Sequence, residues 1–140
     1  MRCSFLGAYD AKTKTCKCDK GMVGVLCTVE ISTLAKSCAT ATTSGPQHVS
    51  ADGKTAVATY CETGIDGGKW ELMFNLKTNV APTLHYKAKF WTEKGKTLGS
   101  FDKAMTADYK GTAYNTRKGN KQLMIVAHGQ GGNKIHGTAS

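Results

Sequence analysis

Arginine is almost missing from this chain. Of 19 basic residues only Arg2 and Arg117 are arginine, and the remainder are lysine. Specific readers of nucleic acid lean on the bidentate arginine fork and a recognisable motif, so the lack of both argues against a nucleic-acid partner. No Cys-x-x-Cys pair occurs, and Cys16-x-Cys18 is too tight for two ligands of an ordinary zinc finger, which argues against structural zinc. No Asn-x-Ser/Thr acceptor calls for N-glycosylation, and no apolar run approaches membrane-spanning length. Gly-x-Ser-x-Gly is absent. His48, His85, His128 and His136 lack metal-type spacing with acidic partners, and Gly129-Gln130-Gly131-Gly132 lacks the Lys-Ser/Thr ending of a phosphate loop. His128 and His136 flank that glycine stretch, where exposed residues or strand-end caps are a commoner reading than ligand contacts. No catalytic constellation survives, so the expectation is a non-enzyme.

What is present fits a folded domain. A chain of 140 residues holds one modest domain and a small appendage, and buries roughly two thirds of its unfolded surface. Hydrophobic content of 40% and charged content of 21% lie in the globular range. The formal net charge is +9, and its lysines are scattered (Lys12, Lys14, Lys17, Lys20, then Lys87, Lys89, Lys94, Lys96) rather than packed in one block. They read as a solvated surface first, and as a weak, salt-dependent polyanion patch second.

All six cysteines, Cys3, Cys16, Cys18, Cys27, Cys38 and Cys61, fall in the first 61 residues. An even, concentrated set reads as a disulfide framework formed in an oxidising compartment, hence a secreted or extracellular protein. Met1-Arg2-Cys3-Ser4-Phe5-Leu6-Gly7 has no long apolar core and is not a signal peptide, so the expectation is a piece of a longer secreted chain.

The stretch from Tyr60 to Leu72 organises the rest. Residues 56–60 read as a strand, and Trp70, Leu72, Phe74 and Leu76 alternate with Glu71 and Asn75 as a second strand with one buried face. Between them, Gly67 and Gly68 offer the positive-φ positions of a tight reversal. Residues 28–36 read as a connector in which Val29 and Ile31 pack, and residues 39–46 as a polar loop ended by Pro46. Asn79-Val80-Ala81-Pro82 reads as a turn, residues 84–91 as an extended segment whose Tyr86, Phe90 and Trp91 close over the Trp70 strand. Residues 101–114 read as a helix or irregular turns, and residues 121–128 as a buried strand. The glycine-rich tail, residues 129–140, reads as loose.

Two stretches carry family resemblances. Cys16-Lys17-Cys18 through Cys27 has the Cys-x-Cys-x8-Cys spacing, with Gly21 and Gly24 at its turns and Tyr9 and Val25 as its apolar contacts. It resembles the carboxy-terminal half of an epidermal-growth-factor-like module, which implies a Cys18–Cys27 bridge. Cys3 and Cys16 then pair with each other, or with cysteines of a longer chain upstream. Tyr60-Cys61 followed by Asp66-Gly67-Gly68-Lys69-Trp70 resembles the opening signature of fibrinogen-related domains, with Glu62 and Lys69 departing from the usual aspartate and glycine. The later Thr97-Leu98-Gly99-Ser100 and Ala107-Asp108-Tyr109-Lys110-Gly111 resemble the intelectin branch, so the likeness runs over residues 38–127. It implies a Cys38–Cys61 bridge and a structural turn at Gly67, Gly68 and Trp70.

The resulting expectation is an α+β, β-rich chain. A small disulfide-stapled hairpin unit (residues 1–30) precedes a fibrinogen-like domain with an antiparallel sheet, incomplete at its C-terminus (residues 36–140). The resemblance implies an extracellular recognition module that binds carbohydrate as a lectin, with glycans or extracellular proteins as partners and calcium as a cofactor. Asp102, Asp108, Asn115 and nearby carbonyls are the oxygen donors able to hold calcium, against the alternative of a hydrogen-bonded turn. The family's ligand pocket lies largely in its missing half, so no glycan-contact residue carries over. The alternative is a structural or adhesive matrix module contacting anionic surfaces through lysines. Oligomer formation is compatible with either.

Overall fold

A computed structural model describes residues 2–77, 89–93, 95–116, 122–128 and 134–139, with the backbone alone at 90, 116, 127, 128 and 134–139. Among the described residues the strands form five small antiparallel sheets, none with more than three strands, and three disulfides cross-link the first 61 residues.

Two hairpins make the amino-terminal unit. β1 (Gly7–Asp10) pairs with β2 (Thr15–Cys18), and β3 (Met22–Val23) pairs with β4 (Val29–Glu30). Asp10 closes the first turn by accepting from the Lys12 N–H and the Thr13 hydroxyl, each at 2.9 Å. Cys3–Cys16 and Cys18–Cys27 staple the pair, so Cys3 and Cys16 find each other and need no cysteine from elsewhere. A Cβ on Gly7 would stand 2.6 Å from the Cys27 sulfur, which is why the strand beside that bridge carries no side chain there. Tyr9 and Val25, read from sequence as interior contacts, are 47% and 75% exposed; the bridges leave too little interior to enclose them.

The next sheet orders β5 (Gly45–Val49), β6 (Val57–Glu62) and β7 (Trp70–Glu71), with Cys61 opposite Gly45 on one side and Glu71 on the other. Asp52 shapes the β5–β6 turn: its carboxylate accepts from the Lys54 and Thr55 amides, and these bonds hold it well below the usual carboxylate range. The Cys38–Cys61 bridge, Val49 and the flanking Ala35, Ala41 and Val57 form the core of this region. Buried Thr59 donates to the Glu71 carboxylate at 2.8 Å, locking β6 to β7 through side chains as well.

The strand expected over residues 70–76 is broken. After Glu71 the chain leaves the sheet, and β8 (Phe74–Asn75) pairs instead with β9 (Tyr109–Lys110), to which Leu98 adds an isolated bridge. Phe74 and Leu76 are therefore 38% and 41% exposed rather than buried. Residues 101–114 resolve into a 3₁₀ turn (Phe101–Lys103), β9 and the start of α1 (Thr112–Thr116). β10 (Leu123–His128) pairs with β11 (Lys134–Ala139), so the tail read as loose contributes a strand. β10 is not the buried strand expected, since Leu123 and Ile125 are 46% and 65% exposed on a two-stranded hairpin. The expected turn at 79–82, and the segment from 84 through 88 with Tyr86, lie outside the described residues.

Candidate functional site

The loop between β6 and β7 is built on handedness. Asp66, Gly67, Gly68 and Lys69 all have positive φ (43°, 78°, 70° and 71°). Positive φ at Asp66 and Gly67 is the signature of a type I′ turn, closed by the Gly68 N–H donating to Ile65 O at 2.8 Å. The same carbonyl accepts from the Trp70 indole N–H at 3.0 Å, fixing the ring against the loop. Glu62, where the fibrinogen-related signature has aspartate, accepts from Ser44 Oγ at 2.8 Å and from the Gly64 amide at 2.7 Å. Gly67, Gly68 and Trp70 thus share one turn, and its bonds are structural.

A second feature follows from the connector. The Ile31 N–H donates to Gly21 O at 2.8 Å, and Ile31 is buried as the chain enters a 3₁₀ turn (Ile31–Thr33). Further along, Ser50 N–H donates to Ala35 O at 2.9 Å, tying the connector to the end of β5. Ser37 caps another 3₁₀ turn (Cys38–Thr40) by accepting from the Ala39 amide. These ties hold the β3–β4 hairpin on one side and β5 on the other of an open cleft of about 830 Å³. Val23, Val29, Leu34, Ala35 and Ala41 supply its apolar lining. Thr33, Thr40, Thr42, Gln47, His48 and Lys36 supply hydroxyls, an amide, an imidazole and an ammonium, and among the described residues no carboxylate lines it.

His48 lines the cleft and also touches the 3₁₀ turn that begins at Phe101. Its ring meets Phe101 edge-on, centroids 5.0 Å apart, and desolvation pushes it below its ordinary value of 6.5, so it is neutral near neutral pH. A histidine whose folded pKa is depressed lets the unfolded chain bind the proton first. Its contribution to stability is complete above the unfolded value and is lost as pH falls through that value toward the lower folded one. We expect stability to decline as pH falls from about 7 to about 5, and the decline to shrink in His48→Gln, measured by urea midpoints across that range.

The two carboxylates expected to hold calcium serve different neighbours. Asp102 accepts from the Ser100 hydroxyl, which holds it below the usual carboxylate range, and Asp108 Oδ1 accepts from the Lys77 amide at 2.8 Å. Asn115 donates to Lys96 O at 3.1 Å. Among the described residues no three His, Cys, Asp or Glu side chains converge as a metal group. His128 and His136 lie on β10 and β11, with His128 opposite Lys134 and His136 opposite Val126. His85 and the 129–132 glycine stretch lie outside the described residues.

Sequence reading missed the surroundings of Lys110. This residue has no exposed surface, and its ammonium donates to Lys96 O at 3.0 Å and Glu93 O at 3.4 Å while lying 4.9 Å from the Tyr114 ring centroid. Tyr114, Phe74 and Trp91 form an aromatic trio with centroids 5.4 to 6.1 Å apart. Trp91, expected to close over the stretch opened by Trp70, meets Phe74 of that stretch, which the fold carries in β8. A lysine in a short polar-looking segment carries no sequence signal for burial; the carbonyls of Glu93 and Lys96, the Leu98 bridge and the Tyr114 ring close around it.

Comparison with protein-family models, with curated proteins and with solved structures finds no match for this chain. The fibrinogen-related and epidermal-growth-factor-like resemblances therefore rest on the short motifs that carry them. The β-rich, antiparallel, disulfide-stapled character stands on the structure itself.

Proposed function

We propose that this chain is an extracellular, non-enzymatic recognition module that binds carbohydrate as a lectin, and that the cleft between the β3–β4 hairpin and β5 is where it does so. The observation that supports this reading is the lining of that cleft. Aliphatic side chains suit the C–H faces of a sugar ring, while Thr33, Thr40, Thr42 and Gln47 offer hydrogen-bonding groups to its hydroxyls. Lys36, with no carboxylate beside it in the lining, favours a saccharide bearing an acidic substituent. Three disulfides in a small domain are consistent with an extracellular setting. Asp102 and Asp108 offer oxygen donors for calcium but do not line the cleft, and among the described residues no carboxylate there bridges a cation to a sugar, so we expect binding in the cleft to survive chelation.

The test is a glycan array with the oxidised protein, in calcium and in chelator, at low and high salt. We expect defined acidic glycans to be retained in chelator, and Lys36→Glu to weaken them about tenfold or more. Silence of the native protein on every glycan would sink the reading. A second reading rests on a different observation: Lys12, Lys14, Lys17 and Lys20 are all exposed on the amino-terminal unit of a chain with net charge +9. It makes the chain an adhesive module for anionic surfaces. Binding to any sulfated polymer that fades steeply with salt and is indifferent to Lys36→Glu would favour it.

A further inference from the structure

The amino-terminal unit presents an apolar tip of unusual shape. Phe5 and Leu6 form a turn just before β1, and Val25 and Leu26 lie in the loop between β3 and β4. The two loops are laced side by side: the Ser4 N–H donates to Leu26 O at 2.9 Å, and Ser4 Oγ donates to Cys27 O at 2.7 Å. The Cys18–Cys27 bridge fixes the base of the second loop. All four side chains face solvent, with Phe5 106%, Leu6 46%, Val25 75% and Leu26 41% exposed.

Three exposed cations flank these loops along the backbone. Asp19 N–H donates to Leu6 O at 2.9 Å, which sets exposed Lys20 beside the first loop, and exposed Lys17 stands one residue from the Gly7–Cys18 pair. Arg2 is exposed next to Cys3, and Asp19 and Glu30 are exposed acidic residues of the same two hairpins. Isolated apolar side chains on two narrow, cross-linked loops, with amines behind them, match a surface that is apolar inside and anionic at its face. A second copy of this chain is disfavoured, because each carries +9.

We propose that this tip docks on anionic phospholipid membranes, with Phe5, Leu6, Val25 and Leu26 entering the acyl boundary and Arg2, Lys17 and Lys20 meeting lipid phosphates and carboxylates. The attachment is peripheral.

Co-sedimentation of the oxidised chain with phosphatidylcholine vesicles, with and without phosphatidylserine, tests it. The expected result is binding to the anionic vesicles alone, weakened by salt, and weakened roughly tenfold or more by Phe5→Asp or Val25→Asp, whose side chains are already in water. Phe5→Trp should show blue-shifted emission on the vesicles and quenching by brominated acyl chains. Failure of the native chain to sediment with anionic vesicles would overturn the proposal. So would Phe5→Asp and Val25→Asp variants that sediment undiminished, since lysines alone would then explain the attraction. An unquenched Phe5→Trp overturns insertion. Phe5→Asp should keep its glycan-array signal, so loss of the lipid site and loss of the cleft reading are told apart.

Discussion

Replacing Cys38 and Cys61 together by alanine is expected to lower folding stability by about 4 kcal/mol. Closing a loop with a sequence separation of 23 removes unfolded-state entropy worth about 3 kcal/mol. Both cysteines are also buried, at 2% and 0% exposure, against Val49, and trimming them removes packing worth about 1 kcal/mol more. Set against a typical domain stability of roughly 5–15 kcal/mol, this is a large share. Urea unfolding of the double variant beside the native chain measures it. A midpoint that does not move would mean that the β5–β6 pairing and the Asp52 turn carry this region without the bridge.

The second large effect belongs to the β6–β7 loop. Gly68→Ala is expected to cost about 3 kcal/mol, whereas Gly67→Ala costs about 1 kcal/mol. Both glycines have φ near 70–80°, so the left-handed penalty is common to the two. They differ in what a new Cβ meets. At Gly68 it would stand 2.5 Å from Thr63 O and 3.0 Å from two further Thr63 backbone atoms, none of which can swing aside as a side chain does. At Gly67 it would meet open space. Chemical denaturation of the two single variants checks the gap, and equal losses would show that φ alone governs the loop. Trp70 fluorescence should register the Gly68 change, because its indole is pinned to Ile65 O in that loop.

Local chemistry was legible in the sequence where it acts over a few residues. Asp66-Gly67-Gly68 announced a left-handed reversal, and six early cysteines announced a stapled unit. The alternation of Trp70, Leu72, Phe74 and Leu76 was real but misleading. Its first half joins β6, and its second half is captured by Tyr109 and Lys110 some 35 residues later in the chain, a long-range pairing to which periodicity is blind. The strand at Lys134–Ala139 was hidden because its glycine and polar residues suit a hairpin edge as well as a loop. The cleft was illegible for a different reason. Its walls come from a connector and a polar loop, whose threonines, alanines and valines gain meaning only when Ile31 and Ala35 are anchored to Gly21 and Ser50.

The bridges join each cysteine to the next one along: Cys3–Cys16, Cys18–Cys27 and Cys38–Cys61, at separations of 13, 9 and 23. No covalent ring encloses or crosses another. A chain entering an oxidising lumen amino terminus first therefore delivers every thiol with its proper mate as the next to arrive. The three rings can close in the order of threading; Cys18, close behind Cys16, is the near competitor for Cys3, whereas Cys38 and Cys61 follow at a greater distance. Of the many pairings open to six cysteines, this is the one least dependent on an isomerase.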